Sequence, residues 1–206
     1  MPKAVRLNHY GDVDVLDVEE VERPTAGPGR VLVHVVAAGT NPGEIAIREG
    51  LLDEMFPATF PSGQGTDFAG VVAELGYGVS GPEVGTEVIG WTNERAAQAE
   101  FVAVPADQLI VKPDSLDWDV AGALYVAAAT ATAAVGAVAP QPGETVLVSG
   151  AAGGVGSLVS QLVLRTGASV IGAAGSSHHD WLRSMGVTPV DYETDLRENL
   201  RQVAPD

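Results

Sequence analysis

Cysteine is absent from the 206 residues, which removes disulfides, thiolate nucleophiles and cysteine-ligated zinc together. Basic residues are scarce: 11 Lys and Arg stand against 27 Asp and Glu, for a net charge of −16 at pH 7. That balance excludes a nucleic-acid or anionic-membrane surface on electrostatic grounds. Any phosphate the protein holds must then be held mostly by backbone amides. Long runs of Leu, Ile and Phe are also lacking. The stretch Ala121 to Ala139 carries no charge for 19 residues, but Ala and Gly dominate it and two threonines interrupt it. It carries little transfer free energy for a bilayer and reads as buried, closely packed helices. The N-terminal MPKAVRLNHYGD has no apolar core of a secretory signal, so a cytoplasmic protein is expected.

What is present is enough apolar residue, 46% of the chain, to build a core in one large domain or two small ones. The most informative stretch is Thr145 to Gly156, TVLVSGAAGGVG. Apolar β-formers pass into a glycine-rich turn that opens a helix, with Val155, Leu158, Val159, Leu162 and Val163 on one face. Ala151, Gly153 and Gly156 occupy the three spacings of a dinucleotide fingerprint, G-x-G-x-x-G, with Ala at the first. Residues without bulk at Ala151, Gly153, Gly154 and Gly156, together with Val155, let backbone N–H groups approach a pyrophosphate at the positive end of the helix dipole.

Upstream, residues 1 to about 115 read as irregular all-β: KAVRL, DVLDVEEV, RVLVHVV, FAGVVAEL, TEVIGW, AEFVAV and QLIVKP are strand candidates separated by Gly and Pro clusters. Irregular spacing predicts a barrel with loops. Ser115 is placed to cap a helix from about Asp117 that leads to the PQPG turn at Pro140 to Gly143. From Thr145 on, strand and helix alternate: strands at 145–149, 168–173 and 187–192, helices at 154–165, after Ser177 and after Thr194. Gly167 and Gly186 sit at C-cap positions, and Ser177 with Asp180 forms a capping box. This is a βαβαβ unit. A dinucleotide fold uses two such halves, so half of the nucleotide domain is expected to be missing, whether more chain or something else completes the sheet.

The order β-domain then nucleotide unit, with AAGTNPGEIAIREGLL, GTDFAGVV, AEFVAVP and GETVLVSGAAGGVGS, closely resembles the zinc-independent quinone oxidoreductases of the medium-chain dehydrogenase/reductase superfamily, relatives of zeta-crystallin. The resemblance covers nearly the whole chain and matches the N-terminal part of the family only. It implies α/β plus β: a GroES-like β-barrel domain over residues 1–120, then the first half of a Rossmann NADP-binding domain over 121–206. In zinc-containing alcohol dehydrogenases of the superfamily, a Cys follows the third strand and Gly-His-Glu precedes AGVV. Here Asn41 and Gly65-Thr66-Asp67 stand there, so the usual zinc ligand set is not available. Substrate polarisation then falls to hydrogen bonds. Asn41 is the candidate catalytic residue, since its amide donates to a carbonyl or quinone oxygen without ionising; the alternative is that Asn41-Pro42 only makes a turn.

Cofactor choice is read at the end of the second nucleotide-domain strand, where NAD sites place Asp or Glu. Gly175, Ser176 and Ser177 stand there, and no carboxylate repels a 2′-phosphate, so NADPH is expected. The Lys or Arg frequent in NADPH-binding relatives is missing, and the nearest cations are His178, His179 and Arg183. A phosphate-binding role for His178 or His179 predicts affinity that weakens as pH rises through about 6.5, whereas adjacent histidines also start helices at the surface. Tyr192 resembles a tyrosine that contacts the 2′-phosphate in relatives. Thr130 resembles a threonine beside the nicotinamide, and bonding back to its own helix is its alternative. Departures at Tyr125, Leu52 and Glu44 bear on the substrate pocket. His34 is expected to face outward from its strand. The resemblance implies hydride transfer from NADPH to a quinone or α,β-unsaturated carbonyl without metal, and a homodimer in the full-length form. An enoyl reductase of polyketide-synthase type and a non-catalytic nucleotide-binding or structural protein are the alternatives.

Overall fold

The computed structural model describes residues 1–204, which divide into two compact units, Met1–Val126 and Ala127 onward. The first unit begins with β1 (Lys3–Leu7) and β2 (Asp17–Glu20), followed by β3 (Arg30–Ala38), α1 (Pro42–Arg48) and β4 (Ser62–Gly63). It continues with β5 (Asp67–Leu75), β6 (Glu87–Trp91), β7 (Phe101–Pro105), β8 (Leu109–Val111) and α2 (Trp118–Gly122). Five strands form an antiparallel sheet in the order β7-β3-β5-β6-β8, and β2-β1-β4 form a second, three-stranded sheet. An Ala4–Ala99 bridge links β1 to the loop before β7.

β3 lies between β5 and β7 with both edges paired. Its Val31 and Val33 join Phe68, Val72, Val88, Val102 and Val104 in the main core of this unit. Leu32, between them, is also buried, the pattern of a strand covered on both faces rather than one. His34 faces outward as predicted, with its ring 5.0 Å from that of Phe101.

The second unit takes in most of α3 (Tyr125–Val138), then β9 (Thr145–Ser149), α4 (Gly154–Arg165), β10 (Ser169–Ala174), α5 (His179–Ser184), β11 (Thr188–Asp191) and α6 (Leu196–Val203). Its three strands are parallel, in the order β11-β10-β9. Buried Val163 of α4 and Leu182 of α5 pack with Val148, Val170 and Val187. Two short crossovers of this kind place helices over the sheet and bring the C-terminal strand ends to one edge. Gly167 and Gly186 take the positive φ of C-cap residues.

Three local readings need correction. The helical stretch after Asp117 is two helices, α2 and α3, interrupted at Ala123 and Leu124. Gly122 sits so close to Ala37 of β3 that a side chain there would collide with its backbone and methyl, and Leu124 turns into a small core with Ala69, Ile89 and Ala121. The N-cap of α2 is Asp117 rather than Ser115. The residue before α5 is His178, with no side-chain cap bond, so Ser177 and Asp180 form no capping box; a 3-10 turn over Ser176–His178 takes that place.

Candidate functional sites, one in each unit

Asn41 is the N-cap of α1, and Pro42 fills the first helical position, where its missing N–H and fixed φ suit a helix start. The helix, absent from the strand-and-turn reading, turns Glu44 and Arg48 inward, where both are buried. Glu44 Oε2 accepts from the Asn41 backbone N–H at 3.2 Å, and Glu44 Oε1 accepts from the Thr66 N–H at 2.9 Å. The Asn41 side-chain amide donates to Asp67 Oδ2 at 3.3 Å and to Glu44 Oε1 at 3.4 Å. Both distances lie beyond the usual 2.9–3.0 Å for such bonds. The amide is therefore oriented by two carboxylates without being tightly engaged by either.

Asp67 is 1% exposed and accepts from the Val126 N–H at 3.1 and 3.2 Å. Burial raises its pKa above the ordinary carboxylate value; hydrogen bonds from Asn41 and Val126 oppose the rise, and the charge of Glu44 adds to it. Asp67 pairs in register with Trp91, whose ring stacks on Tyr125 at 5.0 Å and 10°. The cluster thus combines an amide donor, two buried carboxylates and a flat aromatic pair. The sequence singled out Asn41, and named Glu44, Asp67 and Tyr125 separately, but not that they meet. Glu44 and Asp67 are 23 residues apart in the chain, and only the packing of α1 beside the start of β5 makes them neighbours.

In the second unit, β9 ends at Ser149 and the turn runs through Ala151 and Gly153 into α4, whose N-cap is Gly153. The Ala151 methyl is fully buried and fills the space over Gly172 of β10. A Cβ on Gly156 would collide with the Gly150 carbonyl oxygen, whereas one on Gly154 would meet only open space. No side chain caps α4, so the N–H groups of its first turn, over Gly154, Val155 and Gly156, lack intrahelical acceptors. Those donors at a helix N-terminus form a cradle for an anion. Beside it lies a groove of about 450 Å³ with Val135, Val146, Val148, Val155 and Val159 in its walls.

Because the strands are parallel, with Ser149 beside Ala173 and Ala174 beside Asp191, the ends of β10 and β11 lie along the same edge as this turn. Ser176, Ser177 and His178 are exposed there. His179 Nε2 lies 3.1 Å from the Ala174 carbonyl oxygen, and Arg183 pairs with Asp180 at 2.7 Å. Tyr192 is exposed, and its hydroxyl lies 3.9 Å from where a Cβ on Gly175 would stand. Glu193 Oε1 lies closer, 3.2 Å from that point. A carboxylate two residues past the end of β11 thus stands beside Gly175, which inspection of positions 175–177 did not reveal. Thr130 is exposed on α3. Among the described residues no helix is long and apolar enough to cross a membrane.

Residues 27–114 match the alcohol dehydrogenase GroES-like domain family. The synaptic vesicle membrane protein VAT-1 homolog of Rattus norvegicus is 36% identical over 205 residues, which is 97% of this chain and 50% of that protein. The 2-methylene-furan-3-one reductase of Solanum lycopersicum is 37% identical over 96% of this chain and 54% of its own length. The NADPH-dependent alkenal/one oxidoreductase of Arabidopsis thaliana is 35% identical over the same shares. Among solved structures, the quinone oxidoreductase of Coxiella burnetii superposes with a TM-score of 0.89 at 31% identity, covering 96% of this chain and 64% of that one. The Escherichia coli quinone oxidoreductase complexed with NADPH gives 0.87 at 26%, over 98% and 62%. The CurK enoyl reductase gives 0.89 at 28%, over 98% and 64%.

Residues 27–114 thus form a GroES-like domain, and over nearly its whole length the chain is similar to quinone oxidoreductases and their relatives, with a partial Rossmann-like portion after that domain. It spans about half the length of the curated relatives it matches.

Proposed function

We propose that the chain serves an NADPH-dependent oxidoreductase that delivers a hydride to a quinone or an α,β-unsaturated carbonyl, with no metal in the reaction. The observation that carries this reading is the β9–turn–α4 cradle, whose close approach between Gly156 and Gly150 leaves helix N–H groups uncapped. Its residues fit a pyrophosphate. Gly154, Val155 and Gly156 would present backbone donors to it, and Gly153 keeps the turn free of bulk. The bound nicotinamide supplies the hydride; this chain's own groups bind, orient and polarise.

Asn41 would donate from its amide to the acceptor's carbonyl or quinone oxygen as charge develops there. Its two long bonds to Asp67 and Glu44 hold the amide in one orientation and leave it able to exchange partners. Trp91 and Tyr125 offer a flat surface to a planar acceptor, for which ring stacking is favourable. The domain limits 1–120 and 121–206, the phosphate contacts of Ser176, Ser177, His178 and Tyr192, and a nicotinamide contact by Thr130 belong to the same proposal.

The test follows NADPH by its near-ultraviolet absorbance with a quinone, an enone and an acyl thioester offered in turn. Consumption above background with the quinone or enone is expected. A preference for the thioester would favour the enoyl reductase reading, which the likeness to the CurK enoyl reductase keeps in view. No turnover with any acceptor, in a preparation that binds NADPH, would leave a nucleotide-binding protein without this activity.

A further inference from the structure

The C-terminal edge of the parallel sheet is acidic where a NADPH site would be basic. Asp191, the last residue of β11, is followed by Glu193 and Asp195, so three carboxylates fall within five residues. Two of these carboxylates serve the backbone: Asp191 Oδ1 accepts from the Glu193 N–H at 2.8 Å, and Asp195 Oδ1 accepts from the Glu198 N–H at 3.1 Å. The Glu193 carboxylate makes no hydrogen bond or ion pair among the described residues. It reaches instead toward Gly175, with the Tyr192 hydroxyl beside it. Of the neighbouring basic side chains, Arg183 and His179 already have partners, and His178 is exposed. Arg183 is paired with Asp180, and the His179 ring meets the Ala174 carbonyl.

In dinucleotide folds the residue ending the second strand stands beside the adenosine ribose, where an acceptor selects a 2′-hydroxyl and a cation selects a 2′-phosphate. A hydroxyl donates one hydrogen bond and accepts others, so it satisfies Glu193 and Tyr192 at once. A phosphate dianion only accepts, so it can use Tyr192 and is repelled by Glu193.

Resting on the reading of residues 150–156 as a dinucleotide cradle, we propose that Glu193 is a specificity residue of that cradle: it accepts from the ribose 2′-hydroxyl, so the chain binds NADH as well as NADPH. Ser176 and Ser177, small and neutral, leave room for the phosphate without attracting it strongly.

Equilibrium titration of the chain with NADH and with NADPH, read by calorimetry, tests this. The unaltered protein is expected to bind both within about tenfold of each other. Glu193→Gln is expected to tighten NADPH by about tenfold relative to NADH, and Glu193→Arg to shift the ratio further in the same direction. Circular dichroism establishes that each variant is folded. A NADPH-to-NADH ratio unchanged by both substitutions, with both nucleotides bound, would overturn the role of Glu193 and leave the cradle standing. Absence of binding by either nucleotide to the unaltered chain would overturn the cradle and, with it, this inference.

Discussion

At the scale of the residue, the Asp67 carboxyl shows how one buried acid links stability to pH. Burial raises its pKa in the folded state, while its unfolded value stays near the reference of 3.8. Between the two values the folded chain holds more protons than the unfolded one, so stability falls as pH rises through that window and is regained as pH falls. Asp67→Asn removes this titration and keeps one acceptor for the Val126 N–H. We expect the unfolding temperature of the unaltered protein to gain on that of Asp67→Asn as pH is lowered from about 7 toward about 4. A difference that stays flat across that range would show that Asp67 ionises as easily in the fold as in the open chain. Asn41 is the other residue whose role is separable. Asn41→Ala should lower kcat/KM for the quinone or enone by about a hundredfold with NADPH affinity unchanged; a matching loss of nucleotide affinity would argue instead for a structural role. Asn41 was legible in the sequence because its position follows from the motif around it. Glu44, Asp67 and Tyr125 were noted one by one, but their meeting with Asn41 and the Trp91–Tyr125 stack were not legible, because they arise only through tertiary packing.

At the scale of the element, the second unit was the more legible of the two. A three-residue apolar strand core, glycines and a helical face follow one another within twenty residues, so local pattern and global fold agree. The break between α2 and α3 escaped the sequence because alanine favours helix throughout, and the interruption comes from the close approach of Gly122 to β3. The likeness between the first unit's loops and a turn at Asn41-Pro42 hid α1 for a related reason: Asn-Pro begins turns and helices alike. Two substitutions probe the elements. Leu182→Ala in α5, where the side chain is fully buried, should destabilise the second unit by about 2–5 kcal/mol, measured by urea unfolding. Gly156→Ala forces a methyl against the Gly150 carbonyl and should displace the turn from the first amides of α4.

At the scale of the whole molecule, a net charge of −16 opposes the approach of any dinucleotide, which is itself an anion. A cradle made of backbone dipoles has no ion pair for salt to screen, while the long-range repulsion is screened. NADPH affinity should therefore hold or tighten as ionic strength rises from about 0.01 M to about 0.15 M. Weakening over that range would point to a phosphate site built from cations. The sheet in the second unit has β9 at one end with a strand neighbour only on the β10 side among the described residues, and the chain covers 64% and 62% of the two quinone oxidoreductase structures it resembles.

The most direct test is calorimetric titration of NADPH into the unaltered protein and into Gly156→Ala, with folding of both verified by circular dichroism. The cradle predicts saturable binding by the first and an affinity lower by tenfold or more, about 1.4 kcal/mol, in the second. Equal affinities, or no binding by the unaltered protein, would contradict it.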